Sequence, residues 1–270
     1  MGVQYWIKKV LDLDLDVLNF LSCNLLLFGV VVVVILQFLS TPYGRYAREG
    51  WGAGVNAKLA WFLQELPAFL VPILLVYWTE CPKLEFIPNK LLSGLFLFHY
   101  FQRSLVFPFL IRGGKPTPFI PFVLAFLFCA CNGYLQVGYI IKYADFGRKW
   151  MWNSRLYLGV FLYLMGMFIN LQADHILRNL RKPGETGYKI PNGKLYFVGG
   201  MFEYVSGANF FGEILEWFGF AVANGTLPAI SFFFFTLCNI GPRACHHHKW
   251  YKEKFEDYPK QRKALIPFIL

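Results

Sequence analysis

Long apolar runs alternate with short polar stretches along the whole chain. A membrane-spanning helix needs about 20 mostly apolar residues, and the run at 17–39 has that length without one charged side chain. The later runs are shorter or contain a few ionisable groups. The pattern predicts seven spans in a single domain covering 1–270, with six spans as the alternative. The predicted spans are 17–39, 57–78, 88–111, 119–141, 156–172, 206–223 and 227–240.

Composition supports a membrane protein. Of the 270 residues, 56% are hydrophobic, 20% are aromatic and only 16% are charged, and the mean hydropathy is +0.43. Ordinary soluble domains carry about 25% charged residues. These values exclude a disordered chain, which needs low hydrophobicity and high charge, and they argue against a water-soluble globule. We therefore predict an all-α, multi-pass integral membrane protein with cytosolic loops and a cytosolic C-terminal tail.

The distribution of basic residues predicts an orientation. Lys and Arg outnumber Asp and Glu by 26 to 16, for a net charge of +10. With seven spans, one side of the membrane collects roughly twice as many basic residues as the other, and the positive-inside rule places that side and the C-terminus in the cytosol. The first run is too long for a cleaved secretory signal, so we expect it to be retained. Charge spread between apolar runs favours a membrane surface or an anionic ligand over nucleic acid.

Ionisable groups inside the predicted spans are the main indication of function, because they are costly in a membrane. Glu65 precedes Pro67, where we expect a kink, and Tyr100 and Arg103 are three residues apart and share a helical face. A carboxyl group and a phenol in an apolar cavity could polarise a carbonyl oxygen. The alternative is a polar clamp between the second and third spans.

Further polar groups line the fifth and sixth predicted spans. Spacings of three and four place them on common faces: Asn170 with Asp174, and Asn209 with Glu213, Glu216 and Trp217. They could form a cation pathway, or they could hydrogen-bond the hydroxyls and amide of a nucleotide. The basic loop 178–188 suits phosphate or, alternatively, anionic lipid.

Several familiar site motifs are missing from the sequence. It contains no GxGxxG, no CxxC and no visible Ser–His–Asp arrangement. The triplet His246–His248 does not predict a metal site, because consecutive residues of a helix point about 100° apart. A dinucleotide would therefore have to be bound by the membrane helices and their cytosolic loops.

Longer strings of residues resemble a known family, the steroid 5α-reductases, and most of all the vertebrate type 1 and type 2 enzymes. The similarity extends from about Tyr43 onward. The strings are WFLQELP at 61–67, HYFQR at 99–103, ILRNLRKPG at 176–184, YVSGANFFGE at 204–213, FEDYPK at 255–260 and RKALIPF at 262–268.

The resemblance implies a seven-span reductase of the endoplasmic reticulum membrane that uses NADPH. Such enzymes reduce the Δ4 double bond of 3-oxo steroids such as testosterone or progesterone, with hydride passing to C5 on the α face and a proton added at C4. The family's carbonyl-binding residues match Glu65 and Tyr100, which would hold the C3 oxygen. We expect a lipophilic steroid and the bilayer as partners, no nucleic acid, no metal, and a monomer without an obligate protein partner.

The resemblance also implies a set of cofactor-binding residues. These are Tyr43, Arg103, Arg112, Asn170, Asp174, Arg181, Tyr188, Asn209, Glu213, Trp217, Arg243, His247, Tyr251 and Arg262. One departure from the family is an apparent insertion within 192–202, beside the cofactor loop. Two other functions stay open: a reductase of an enoyl-CoA or a polyprenal on the same architecture, and a transporter or channel that uses Asp174, Glu213 and Glu216 as an ion path.

Overall fold

The computed structural model describes Val10, 12–182, Glu185, 187–192 and 200–270, and these residues are mostly helical. The helices are α1 (Leu15–Phe38), α2 (Ala57–Trp78), α3 (Ile87–Phe101), α4 (Phe107–Leu110), α5 (Phe119–Lys142), α6 (Ser154–Asn179), α7 (Ala208–Asn224) and α8 (Leu227–Lys254). Short 3₁₀ turns lie at Gly44–Tyr46, Pro82–Glu85, Arg148–Trp152 and Met201–Glu203. Two-residue strands, β1 (Gly54–Val55) and β2 (Thr117–Pro118), pair antiparallel with Gly54 opposite Pro118.

Four of the helices are long and apolar enough to cross a membrane, namely α1, α2, α5 and α6. Side-chain caps fix where several helices begin. Asp14 Oδ1 accepts hydrogen bonds from the first free amides of α1, and Asn56 Oδ1 does the same for α2. The prediction of an all-α membrane protein is thus confirmed at this level, whereas the count of seven spans stays a prediction.

The predicted span 88–111 is not one continuous α-helix. The α-helical turns of α3 stop at Phe101, a π-helical turn covers Gln102–Val106, and α4 follows. Pro108 lacks the amide hydrogen that would bond to the carbonyl of Ser104, and its ring crowds that carbonyl, so the regular ladder cannot pass through this point. The wide turn carries Arg103, one of the expected cofactor residues.

Two helices are longer than the apolar runs that predicted them. The run 156–172 lies within α6, which continues to Asn179, and the run 227–240 lies within α8, which continues to Lys254. Apolar length indicates only the part of a helix that suits lipid. The polar extensions stay helical and carry Asp174, Arg243 and His247 beyond the predicted spans.

The helices α6 and α7 share the most extensive contact in the described part of the fold. Glycines make the contact possible, because a Cβ at Gly166 would lie 2.2 Å from Glu216 N and one at Gly219 would lie 2.3 Å from Tyr163 N. Gly159 and Gly212 pack equally close to the opposite backbone. Small residues let membrane helices approach in this way. The contact fixes the register between the polar residues of the two helices.

Candidate active site

Glu65 and Tyr100 lie against the same face of α5. Cys129 Sγ donates a hydrogen bond to Glu65 Oε2 at 3.5 Å, and Asn132 Nδ2 donates to Tyr100 Oη at 3.0 Å. Cys129 and Asn132 are three residues apart on α5 and therefore neighbours on its surface. No hydrogen bond joins Glu65 directly to Tyr100 among the described residues. The carboxyl group and the phenol that we expected to act together thus lie beside the same helix, and each is bonded to a different side chain.

A buried histidine and glutamate pair lies beside Tyr100. His99 Nδ1 and Glu216 Oε1 are 2.7 Å apart, and both side chains are almost fully buried. The Trp217 ring centroid is 4.5 Å from that of His99 and 6.0 Å from that of Tyr100. Trp217 therefore packs against the phenol of Tyr100. Spacing in the sequence grouped Glu216 with the other polar residues of the sixth predicted span, but it gave no signal that His99 is its partner.

The side chain of Arg103 bridges α6 and α7. Its Nη1 donates to Asp174 Oδ2 at 2.7 Å and its Nη2 donates to Glu213 Oε2 at 3.2 Å. The guanidinium also lies 4.8 Å from the centre of the Phe107 ring, on α4. Together with the His99 contact, these bonds engage all three carboxylates of the hypothetical ion path. An ion path through Asp174, Glu213 and Glu216 is therefore disfavoured.

Asn170 and Asn209 meet where α6 and α7 approach most closely. Asn170 Nδ2 donates to the backbone oxygen of Asn209 at 2.9 Å, and Asn170 is 2% exposed. The two asparagines, Asp174 and Glu213 thus form one polar group at the contact between the two helices.

Arg243 lies among aromatic rings and has no acidic partner in the described part of the chain. Its guanidinium carbon is 4.9 Å from the centre of the Tyr43 ring and 5.0 Å from that of Phe210. Burial lowers the pKa of Arg243 to about 10, which still leaves the side chain charged at neutral pH. A partly buried cation without a carboxylate partner is unfavourable unless an anion binds there.

Arg45 is a second cation that lies among aromatic rings. The sequence did not single it out from the many basic loop residues. Its Nη2 donates to Tyr251 Oη at 3.0 Å, and its guanidinium carbon lies 4.4 Å from the Trp250 ring centre and 5.8 Å from that of Tyr188. Its Nη1 is buried without a hydrogen-bond partner within the described residues. Stacked guanidinium groups with free N–H donors are suited to phosphate.

His247 stands between the two arginines. Its Nδ1 is 3.3 Å from Tyr46 Oη, and burial raises the pKa of Tyr46 to about 12. Burial, and then the positive charges of Arg45 and Arg243, lower the pKa of His247 well below its usual value. The neighbouring imidazole of His248 instead contacts Ser206 Oγ at 2.6 Å, so adjacent members of the triplet face different surroundings.

The remaining expected cofactor residues, Arg112, Arg181 and Arg262, have different surroundings. Arg112 Nη1 donates to Asn179 Oδ1 at 2.9 Å, while Arg181 is exposed. Arg262 is buried and donates to the Pro191 oxygen at 2.7 Å. Its guanidinium is also 3.6 Å from Glu203, which ties the tail to the loop before α7. Gly184 and most of the apparent insertion, 193–199, lie outside the described residues.

The charges and polar groups at these positions fit a dinucleotide phosphate. Two guanidinium groups, Arg45 and Arg243, have no acidic partner among the described residues and lie beside exposed and half-buried aromatic rings. Asn170, Asp174 and Glu213 form a polar group on α6 and α7. Along these helices the group lies between the two arginines and the Tyr100 hydroxyl. Phosphates need the first kind of group and ribose hydroxyls need the second.

Known proteins resemble the chain over almost its whole length. The profile of the family described as 3-oxo-5-alpha-steroid 4-dehydrogenase matches residues 115–270. The 3-oxo-5-alpha-steroid 4-dehydrogenase 1 of Bos taurus is 52% identical over 258 residues, which are 95% of this chain and 97% of the bovine protein. The type 1 and type 2 proteins of Homo sapiens are 45% and 46% identical, over 94% and 92% of this chain and 95% and 94% of their own lengths. The chain therefore belongs to the 3-oxo-5-alpha-steroid 4-dehydrogenase family.

Proposed function

We propose that this protein reduces the Δ4 double bond of 3-oxo-Δ4 steroids, with NADPH, to 5α-dihydro steroids. The names of its relatives support the reaction class. The proposed chemistry rests on one observation. A carboxyl group on α2, Glu65, and a phenol on α3, Tyr100, both contact the same face of α5.

Glu65 and Tyr100 would bind the C3 carbonyl oxygen of the steroid. Negative charge develops on that oxygen when C5 accepts hydride, because the enone delivers the electron pair to its carbonyl. Donors that are already fixed in an apolar site stabilise this charge more strongly in the transition state than in the bound substrate. The same two groups would therefore accelerate the reduction as well as orient the steroid.

NADPH, when bound, supplies the hydride. The aromatic and basic surface of Tyr43, Arg45, Tyr188, Arg243 and Tyr251 would hold its phosphates and adenine, with His247 between the arginines. Asn170, Asp174, Asn209 and Glu213 would hydrogen-bond ribose and nicotinamide, and Trp217, which packs against Tyr100, would contact the nicotinamide. Arg103 keeps two of these carboxylates in place. Arg112, Arg181 and Arg262 complete the proposed set at the cytosolic edge.

The proposed setting is the endoplasmic reticulum membrane, with seven spans and a cytosolic C-terminus. The broken third segment and the two helices α7 and α8 supply the three spans beyond the four long apolar helices. This arrangement places the basic residues of the tail on the side where NADPH is available. A lipid-soluble steroid would enter from the bilayer, and we expect the protein to act as a monomer.

The direct test supplies microsomes containing the protein with NADPH and testosterone. We expect NADPH oxidation that depends on steroid, and a product with hydrogen on the α face of C5. An enoyl-CoA and a polyprenal should be added as competing substrates in the same assay. Reduction of either in preference to testosterone, or a product of the opposite configuration at C5, would refute the proposed function.

A further inference from the structure

The described structure attaches the Tyr100 hydroxyl to a single side chain, that of Asn132. Asn132 is 1% exposed, and its Nδ2 donates to Tyr100 Oη at 3.0 Å. Among the described residues, no other side chain forms a hydrogen bond with this phenol oxygen. Asn132 is absent from both the expected catalytic set and the expected cofactor set, so its contact with the reacting end of Tyr100 needs an explanation.

Local packing fixes where Asn132 stands. A Cβ at the next residue, Gly133, would lie 3.0 Å from Pro72 Cδ and 3.1 Å from Ala68 Cα. The backbone of α5 therefore rests directly on α2, one turn beyond Glu65. This contact sets the register of α5 against α2, so that Cys129 faces Glu65 while Asn132 faces Tyr100.

The direction of the hydrogen bond has a chemical consequence. The phenol oxygen accepts the amide N–H, so the phenol's own hydrogen is not used in this bond and can be donated to a carbonyl oxygen. As charge builds on that carbonyl, the phenol donates more strongly and its own oxygen becomes richer in negative charge. The amide N–H then stabilises this oxygen, and coupled hydrogen bonds of this kind strengthen one another.

We propose that Asn132 is a positioning residue for the reduction, and that it acts entirely through the Tyr100 hydroxyl. It selects the rotamer in which the phenol hydrogen faces the substrate, and it supports the phenol oxygen in the transition state. This inference rests on the proposed function, in which Tyr100 binds the steroid carbonyl.

A double-mutant cycle on the full-length protein tests this role. The variants are Asn132→Ala, Tyr100→Phe and their combination, assayed with testosterone and NADPH. We expect Asn132→Ala to lower kcat by about tenfold to a hundredfold, while the NADPH dissociation constant changes less than about twofold. In the Tyr100→Phe background the same change should lower kcat by less than about twofold, because the hydroxyl on which it acts is already missing.

Two further variants separate this role from a contribution to folding. Asn132→Leu keeps the side-chain volume without the N–H donor and should reproduce the loss in kcat. Gln136, four residues later on α5, is also 1% exposed, and its Nε2 donates to the Pro228 oxygen at 2.9 Å. Gln136→Leu should therefore remove a similarly buried amide and leave kcat within about twofold of the parent value.

The outcomes distinguish failure of this inference from failure of the proposed function. Parental kcat in Asn132→Leu and Asn132→Ala, with slow turnover in Tyr100→Phe, overturns the inference alone. The same is true if the effects of Asn132→Ala and Tyr100→Phe are additive, or if Gln136→Leu lowers kcat as much as Asn132→Leu. Parental kcat in Tyr100→Phe overturns both the inference and the assigned role of the phenol.

Discussion

Replacing Gly166 by alanine should separate α6 from α7 and weaken the cofactor site. The added Cβ would lie 2.2 Å from Glu216 N and 2.6 Å from Gly212 O. These are backbone atoms of the opposite helix, so neither can rotate away. Ordinary contact of a carbon atom needs roughly 3.5 Å, and the two helices must therefore move apart by about 1 Å.

The expected cost follows from this displacement. Overpacking in a tight core costs about 1–3 kcal/mol, whereas alanine gains only about 1 kcal/mol over glycine in a helix. The difference is a net loss of about 1 kcal/mol, with an upper bound of about 2 kcal/mol. The same movement would lengthen the bond from Asn170 to the Asn209 oxygen, now 2.9 Å, and strain the bridge through Arg103. NADPH affinity should fall together with stability.

The assay is thermal inactivation of the solubilised protein, with NADPH affinity measured from quenching of tryptophan fluorescence. Gly94 on α3 provides a matched control, because a Cβ there would meet no atom within 4 Å. Gly94→Ala should leave stability unchanged or raise it by up to about 1 kcal/mol. If Gly166→Ala were as stable as the parent and bound NADPH equally well, close packing of α6 and α7 would not position the site.

Three further predictions concern the charged groups of the site. Arg103→Leu should cost about 3–5 kcal/mol of unfolding free energy, because Asp174 and Glu213 lose the buried cation between them; thermal unfolding measures this. Arg243→Met should weaken NADPH binding about tenfold to a hundredfold in a titration, without loss of stability, because the cation has no acidic partner in the described structure. Burial and neighbouring cations lower the pKa of His247, so the folded protein binds fewer protons than the unfolded chain. Its unfolding free energy should therefore fall as pH drops below about 6.5, and His247→Asn should reduce this dependence.

Each of these predictions has a contrary outcome. Parental unfolding temperature in Arg103→Leu would mean that water or lipid, rather than Arg103, compensates the two carboxylates. Unchanged NADPH affinity in Arg243→Met would remove this arginine from the phosphate site. An equal loss of stability between pH 7.5 and 5.5 in the parent and in His247→Asn would assign the pH dependence to other groups.

Sequence patterns located the helices better than they located contacts between them. Apolar length identified α1, α2 and α5 almost to their ends, because a span in lipid must satisfy its backbone internally and be apolar on its surface. The same signal could not show the π-helical turn at Gln102–Val106, which depends on one proline and on tertiary contacts. It also could not show how far α6 and α8 continue beyond the lipid.

Spacing along one helix could group only the polar residues of that helix, and the rest of the expected site rested on the resemblance to the family. Spacing grouped Asp174 and Glu213 with the other polar residues of their own helices. It could not identify their shared partner, Arg103, because Arg103 lies in a third segment. Arg45 and Asn132 were not predicted, because a loop arginine and a buried asparagine have no distinctive local pattern. Their roles depend on contacts between distant parts of the chain, such as the packing of Gly133 on α2 beside Asn132 and the bond from Arg45 to Tyr251.

In the proposed reaction, Glu65 and Tyr100 stabilise charge on a steroid carbonyl during hydride transfer. The most direct measurement is kcat for testosterone reduction in Glu65→Gln and Tyr100→Phe, with NADPH affinity determined on the same preparations. We predict that each variant binds NADPH within about twofold of the parent and loses roughly a hundredfold or more in kcat. Parental turnover in both variants, with NADPH bound normally, would contradict the claim.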